Sequence, residues 1–122
     1  MNVLWNEFVQ KVQDSALIAE KDPYGVKYAG SREDVLACQQ LRFRVFNQEQ
    51  GKYTGTHSNE QIDCDDFDDK AVHLQVYEKS SQQVIGTYRF ICPTNSVSDM
   101  YSSKEFHISG LDDILAKTLE VG

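Results

Sequence analysis

Hydrophobic residues near the start of the chain, Trp5, Phe8, Val9, Val12, Ala16 and Ala19, recur at three- and four-residue steps, the spacing of an amphipathic helix. This predicts a first helix over residues 2–20, ended at Asp22-Pro23 because proline disfavours helical backbone in the residue before it. Tyr24, Val26 and Tyr28 then share one face of a short strand over residues 24–29, closed by Gly30-Ser31. Ser31, with Asp34 three residues on, reads as a capping-box-like start in which the hydroxyl meets an orphan amide of the first helical turn. Val35, Cys38, Arg42 and Val45, flanked by Leu41 and Phe46, carry this second helix to about residue 50, with Gly51 as the stop.

The periodicity then lapses. Residues 52–70 are polar, rich in Gly, Ser, Asn and Asp, and too long for a simple connector, so the segment is either a functional loop or partly disordered. Val72, Leu74 and Val76 alternate with His73, Gln75 and Tyr77 as in a half-buried strand. After a polar turn at residues 79–82 the alternation resumes from Val84 to Cys92, and the two runs pair most simply as an antiparallel hairpin. Beyond Pro93 and a loop through Met100 and Tyr101, Leu111, Ile114, Leu115 and Thr118 make a short last helix.

Composition narrows the function classes. With 122 residues, 40% hydrophobic and 25% charged, the chain can build one core, and one domain over residues 1–122 is expected. A net charge of -7, with no dense patch among Arg32, Arg42, Arg44 and Lys52, disfavours nucleic acid. Cys38, Cys64 and Cys92 are odd in number and widely spaced, which suggests neither a disulfide framework nor a thiolate zinc site and fits a reducing cytoplasm. The first ten residues lack a basic n-region and do not read as a signal peptide, and no apolar run is long enough to span a membrane.

Two features carry candidate chemistry. Asp63, Asp65, Asp66, Asp68 and Asp69 surround Phe67, and so many carboxylates at close range are either fully solvated or face a cation. Counted from Asp63, the fifth and sixth positions are Phe67 and Asp68, so a calcium loop with glycine at its sixth place does not match, and no metal site is expected. Phe67 reads as an anchor of the loop to a core. Arg89 stands in an otherwise apolar strand, on the face of Ile85, Thr87 and Ile91, where a buried guanidinium needs a carboxylate partner; the acidic loop is the obvious donor. That pairing serves either as a structural tie or as part of a substrate site. Arg42, on the stripe of Val35, Cys38 and Val45, either points inward or covers the helix with its stem. The three histidines share no metal-ligand spacing, no Ser-His-Asp pattern is visible, and Cys64 among aspartates is a poor nucleophile.

Arg42 with Val45-Phe46, Asp63-x-Asp65-x-x-Asp68 around Phe67, Gly86-Thr87-Tyr88-Arg89-Phe90-Ile91 before Pro93-Thr94, and Tyr101-x-x-x-Glu105-Phe106-x-Ile108-Ser109-x-Leu111 together resemble the N-terminal portion of GNAT-fold acyltransferases over residues 35–122. The branch most similar is that of the ornithine-lipid N-acyltransferases, once labelled hemolysin-like, with the acyl-homoserine-lactone synthases as relatives. The resemblance implies an α/β fold of α+β type, the N-terminal part of a GNAT fold, with an antiparallel hairpin plus a strand packed on two helices. It implies transfer of a fatty acyl group from acyl carrier protein or acyl-CoA, with no tightly bound cofactor, to an amino acceptor such as ornithine in a bacterial cytoplasm, peripheral to the inner membrane if membrane-associated at all.

Carried over residue by residue, the resemblance places Asp63, Asp65, Asp68 and Arg89 in the catalytic acceptor site. Arg42, Phe46, Phe67 and Glu120 are its substrate-binding neighbours. An amine attacks a thioester only when neutral, so a carboxylate must take its proton directly or through water. Asp63 stands where the synthases usually carry glutamate, and its shorter reach weighs against a direct base role. The synthases' tryptophan after the arginine helix is absent, with Lys52 near its place, which counts against lactone synthesis.

Leu119-Glu120-Val121-Gly122 resembles the start of the family's L-E-x-G-R stretch. The expectation from this is an incomplete domain, inactive alone, without the donor-binding part and with an open sheet edge suited to a second copy. The alternative is a non-catalytic module binding a cationic small ligand or a protein partner.

Overall fold

The alternating runs build the centre of a sheet. In a computed structural model, which describes residues 3–14, 17–49, 61–93 and 95–122, β3 (Val72–Glu78) and β4 (Val84–Ile91) pair antiparallel. The register sets His73 opposite Arg89 and Gln75 opposite Thr87, so these four share one face, with a bulge between Val76 and Tyr77. Strand β2 (Tyr24–Tyr28) pairs with the other edge of β3, β1 (Ala19–Lys21) with β2, and β5 (Glu120–Val121) with β4. The sheet order is β1-β2-β3-β4-β5, antiparallel throughout. Gly25 lies opposite Tyr77, whose ring tip fills the space beside it: a Cβ there would stand 2.7 Å from the ring and force it to shift.

The first helix is shorter than its apolar spacing predicts. Helix α1 covers Val3–Asp14; Ala19, expected within it, belongs to β1. Residues 15 and 16 lie outside the described residues. The competing force is pairing: Ala19 to Lys21 form a ladder with Tyr24 to Val26, and Asp22-Pro23 makes the turn of that hairpin instead of a helix terminus. Lys79 ties this outer hairpin to the β3–β4 turn, its ammonium 2.9 Å from Glu20 and 2.6 Å from Asp22.

Each face of the sheet carries one helix. Val12 of α1 packs on Val72 and Leu74, with Trp5, Phe8, Val9, Val26 and Phe90 around them. Phe8 meets Phe90 with ring centroids 5.0 Å apart. On the opposite face lies α2 (Arg32–Phe43), started by Ser31, whose hydroxyl accepts from the Asp34 amide at 3.0 Å as predicted. Because α2 covers that face, His73 and Gln75 are buried as well as Val72 and Leu74, which corrects the half-buried reading of β3. Gln75 there donates to the Asp34 carbonyl at 2.8 Å.

Past Phe43 the helix widens into a π-helical stretch, Arg44–Glu49; the predicted stop at Gly51 and the loop over 52–60 lie outside the described residues. The expected last helix is a 3₁₀ helix, Asp112–Lys117, with Leu115 buried. The fold is thus the expected α/β one, hairpin and strand on two helices, enlarged by β1 and β5. No helix among the described residues is long and apolar enough to cross a membrane.

Candidate active site

Asp68 is the hub on which the site is built. It opens a 3₁₀ turn, Asp68–Lys70, and its carboxylate is almost fully buried between α2 and β4. Arg42 Nη2 donates to Asp68 Oδ2 at 2.7 Å and Arg89 Nη1 to Oδ1 at 3.0 Å. The Gln39 amide at 3.3 Å and the Asp65 backbone amide at 3.2 Å complete the shell. Burial alone would raise the carboxyl pKa, but the charge of Arg42 and the hydrogen bonds from Arg42 and Arg89 outweigh it and hold Asp68 below the usual carboxylate range. So the loop folds back over the hairpin to meet Arg89, the pairing that the apolar setting of that arginine predicted.

The two other aspartates complete the bridge. Arg42 Nε donates to Asp63 Oδ2 at 3.1 Å and its Nη2 to the Asp63 carbonyl at 2.6 Å, so the residue points inward and is no solvent-seeking cover of its helix. Arg89 Nη1 donates to Asp65 Oδ1 at 2.7 Å, and the same oxygen accepts from the Phe67 amide at 2.9 Å. Burial works against the Arg89 charge, yet the bonds to Asp65 and Asp68 hold its pKa above the ordinary value. Three carboxylates face two guanidinium groups, which leaves the cluster one negative charge in excess. Asp65 Oδ2 accepts no hydrogen bond among the described residues. His73 sits beneath, its Nε2 3.0 Å from the Asp68 carbonyl oxygen; burial pushes its pKa down, so the ring is neutral at neutral pH.

Above the cluster opens a cleft of about 700 Å³ between the end of α2 and the outer half of β4. Asp63, Asp65, Arg42 and Arg89 line its polar side; Leu41, Val45, Phe46 and Ile85 line an apolar side. Of the residues singled out in the sequence, Asp68, Phe67 and Glu120 are outside this lining. Asp68 lies beneath it. Phe67 packs edge-on against Tyr101 with centroids 5.6 Å apart. Glu120 accepts from the Tyr101 and Ser102 amides at 2.5 and 2.9 Å and from the Ser102 hydroxyl, which fixes the 3₁₀ turn Tyr101–Lys104.

That turn brings in two residues the sequence reasoning left out of the site, Tyr101 and Lys104. The tyrosine at the head of the Glu105-Phe106 motif was the available signal; Lys104 had none. Cys64 also lines the cleft, its thiol pKa raised first by burial and then by the charge of Asp68. Among the described residues no group of three or more His, Cys, Asp or Glu is arranged to hold a metal ion.

An antiparallel sheet packed on two helices is the α/β layout that the resemblance implied for the N-terminal part of a GNAT domain. The chain belongs to that family: the model of the acetyltransferase (GNAT) domain matches residues 41–122. The L-ornithine N(alpha)-acyltransferase of Brucella abortus (strain 2308) is 34% identical over 106 residues, covering 80% of this chain and 38% of that protein. The chain therefore spans well under half the length of the curated relative it matches. No solved structure matches significantly.

Proposed function

We propose that this chain forms the acceptor side of an N-acyltransferase that moves a fatty acyl group from a thioester, on coenzyme A or acyl carrier protein, to the amine of an ornithine-like acceptor. The observation that carries the proposal is the position of Asp65: lining the cleft, held through Oδ1 by Arg89, with Oδ2 accepting no hydrogen bond among the described residues. The acceptor binds as an ammonium against Asp63 and Asp65. Asp65 takes a proton from it, directly or through water, and the neutral nitrogen attacks the thioester carbonyl. The C–N bond forms, the C–S bond breaks, and the second proton of the attacking nitrogen passes through solvent to the departing thiolate, leaving amide and thiol. Asp68 holds both arginines in place and does not touch the substrate. Family membership and the ornithine-acylating relative support this reading, which also puts the protein in the cytoplasm beside its thioester donor.

The test is acylation of labelled ornithine by the whole gene product with a long-chain acyl thioester, read by mass spectrometry. Asp65→Asn should lower the rate by about 10²-fold or more, the scale of a general base. A rate within about threefold of wild type would remove Asp65 from that role. The alternative, a non-catalytic module for a cationic ligand, draws on the fact that the carboxylates already neutralise two arginines and so serve the fold without any substrate. It predicts ornithine binding with no consumption of thioester.

A further inference from the structure

Four side chains form a ladder of alternating charge and ring beside the cleft, three of them, Arg89, Tyr101 and Lys104, lining it. The Arg89 guanidinium carbon lies 5.1 Å from the Tyr101 ring centroid and 6.0 Å from that of Phe67. The Lys104 ammonium lies 5.0 Å from the Phe67 centroid on its own side. The two cations differ in one respect. Arg89 is consumed by Asp65 and Asp68, whereas Lys104 pairs with no carboxylate among the described residues, although it lines the same cleft as Asp63 and Asp65. Among the described residues, the cluster beneath the cleft thus carries an excess negative charge and the cleft's wall an ammonium with no carboxylate partner.

We infer that Lys104 is a specificity residue that binds the carboxylate of the acceptor, so that the site selects an amino-acid zwitterion over a plain amine. The inference rests on the acceptor reading above and narrows its substrate class. The Arg89 guanidinium carbon and the Lys104 ammonium lie 6.0 and 5.0 Å from the Phe67 centroid, which puts the two cations at most about 11 Å apart, and Asp65, held by Arg89, lines the same cleft as Lys104. Lys104 lines the cleft, and its ammonium stands over the Phe67 ring face, which holds the charge beside the cleft without neutralising it. Glu120 acts one step back: by accepting from the amides of Tyr101 and Ser102 it positions the turn that presents Lys104.

The decisive measurement is equilibrium binding, which needs no acyl transfer. Ornithine and 1,4-diaminobutane carry the same pair of amines and differ by the carboxylate. Wild-type protein should bind ornithine about tenfold more tightly, the worth of one charge-assisted hydrogen bond. Lys104→Gln should abolish that preference while leaving diaminobutane affinity within about twofold, and Lys104→Arg should restore much of it. Equal affinities in the wild type, absence of binding by either, or parallel weakening of both ligands in Lys104→Gln would overturn the inference. Loss of coenzyme A binding with ornithine binding intact would assign the lysine to the donor and overturn it as well. Acyl transfer by the same preparation tests the catalytic reading separately, so a protein that selects ornithine and transfers nothing retains this inference and loses that one.

Discussion

Replacing Asp68 by asparagine changes little in size and removes one charge, which isolates the electrostatic role of the hub. Two guanidinium groups, an amide side chain and a backbone amide all donate to its two oxygens. Asparagine keeps one acceptor and turns the other into an NH₂ that points at donors. Breaking a buried ion pair on one side costs about 3–5 kcal/mol, because the partner charges remain buried. Asp63 and Asp65 keep partial hold of Arg42 and Arg89, so the lower half of that range is expected. For a chain of this length it corresponds to a melting temperature lower by about 10–15 °C. Urea unfolding followed by circular dichroism gives the difference directly, with Asp66→Asn as an exposed control expected within about 0.5 kcal/mol of wild type. An Asp68→Asn loss under about 1 kcal/mol with an unchanged m value would refute the hub argument.

Two further outcomes follow from the same region. The pKa of His73 is depressed in the folded state, so its contribution is present above the unfolded value of about 6.5 and falls away as the pH drops below it. Urea midpoints between pH 7 and pH 5 should therefore decline in the wild type and decline less in His73→Gln; an unchanged slope would exclude His73 as the source. The Cys64 thiol should react with iodoacetamide more slowly at pH 8 than a free thiol, and faster once Asp68→Asn removes the neighbouring charge, as read by intact mass. Equal rates in the two proteins would contradict the assigned cause.

Arg89 was legible because it interrupts the apolar period of a strand and must find a partner, whereas the helical stripe of Arg42 fitted an inward charge and a solvent-seeking stem equally, and only the contacts with Asp63 and Asp68 decide it. The Asp63–Asp69 run was the available supply. The Ser31 cap was equally local and equally readable. Other features are decided by contacts distant in sequence. Ala19 keeps helical spacing yet pairs with Val26, because a hairpin edge was open to it. His73 and Gln75 alternate as if one face of β3 were wet, but α2 lies over that face. Lys104 enters the cleft only because Glu120, 16 positions on, fixes the turn that bears it, and no spacing rule connects those two residues.

The sheet also acts as an optical partition. The chain's only tryptophan, Trp5, is on α1, against the Phe8–Phe90 side, while the cleft opens on the α2 side. Indole emission therefore reports the integrity of the hydrophobic layer and is blind to whatever enters the cleft. A quench on adding a ligand would signal that the layers themselves had shifted.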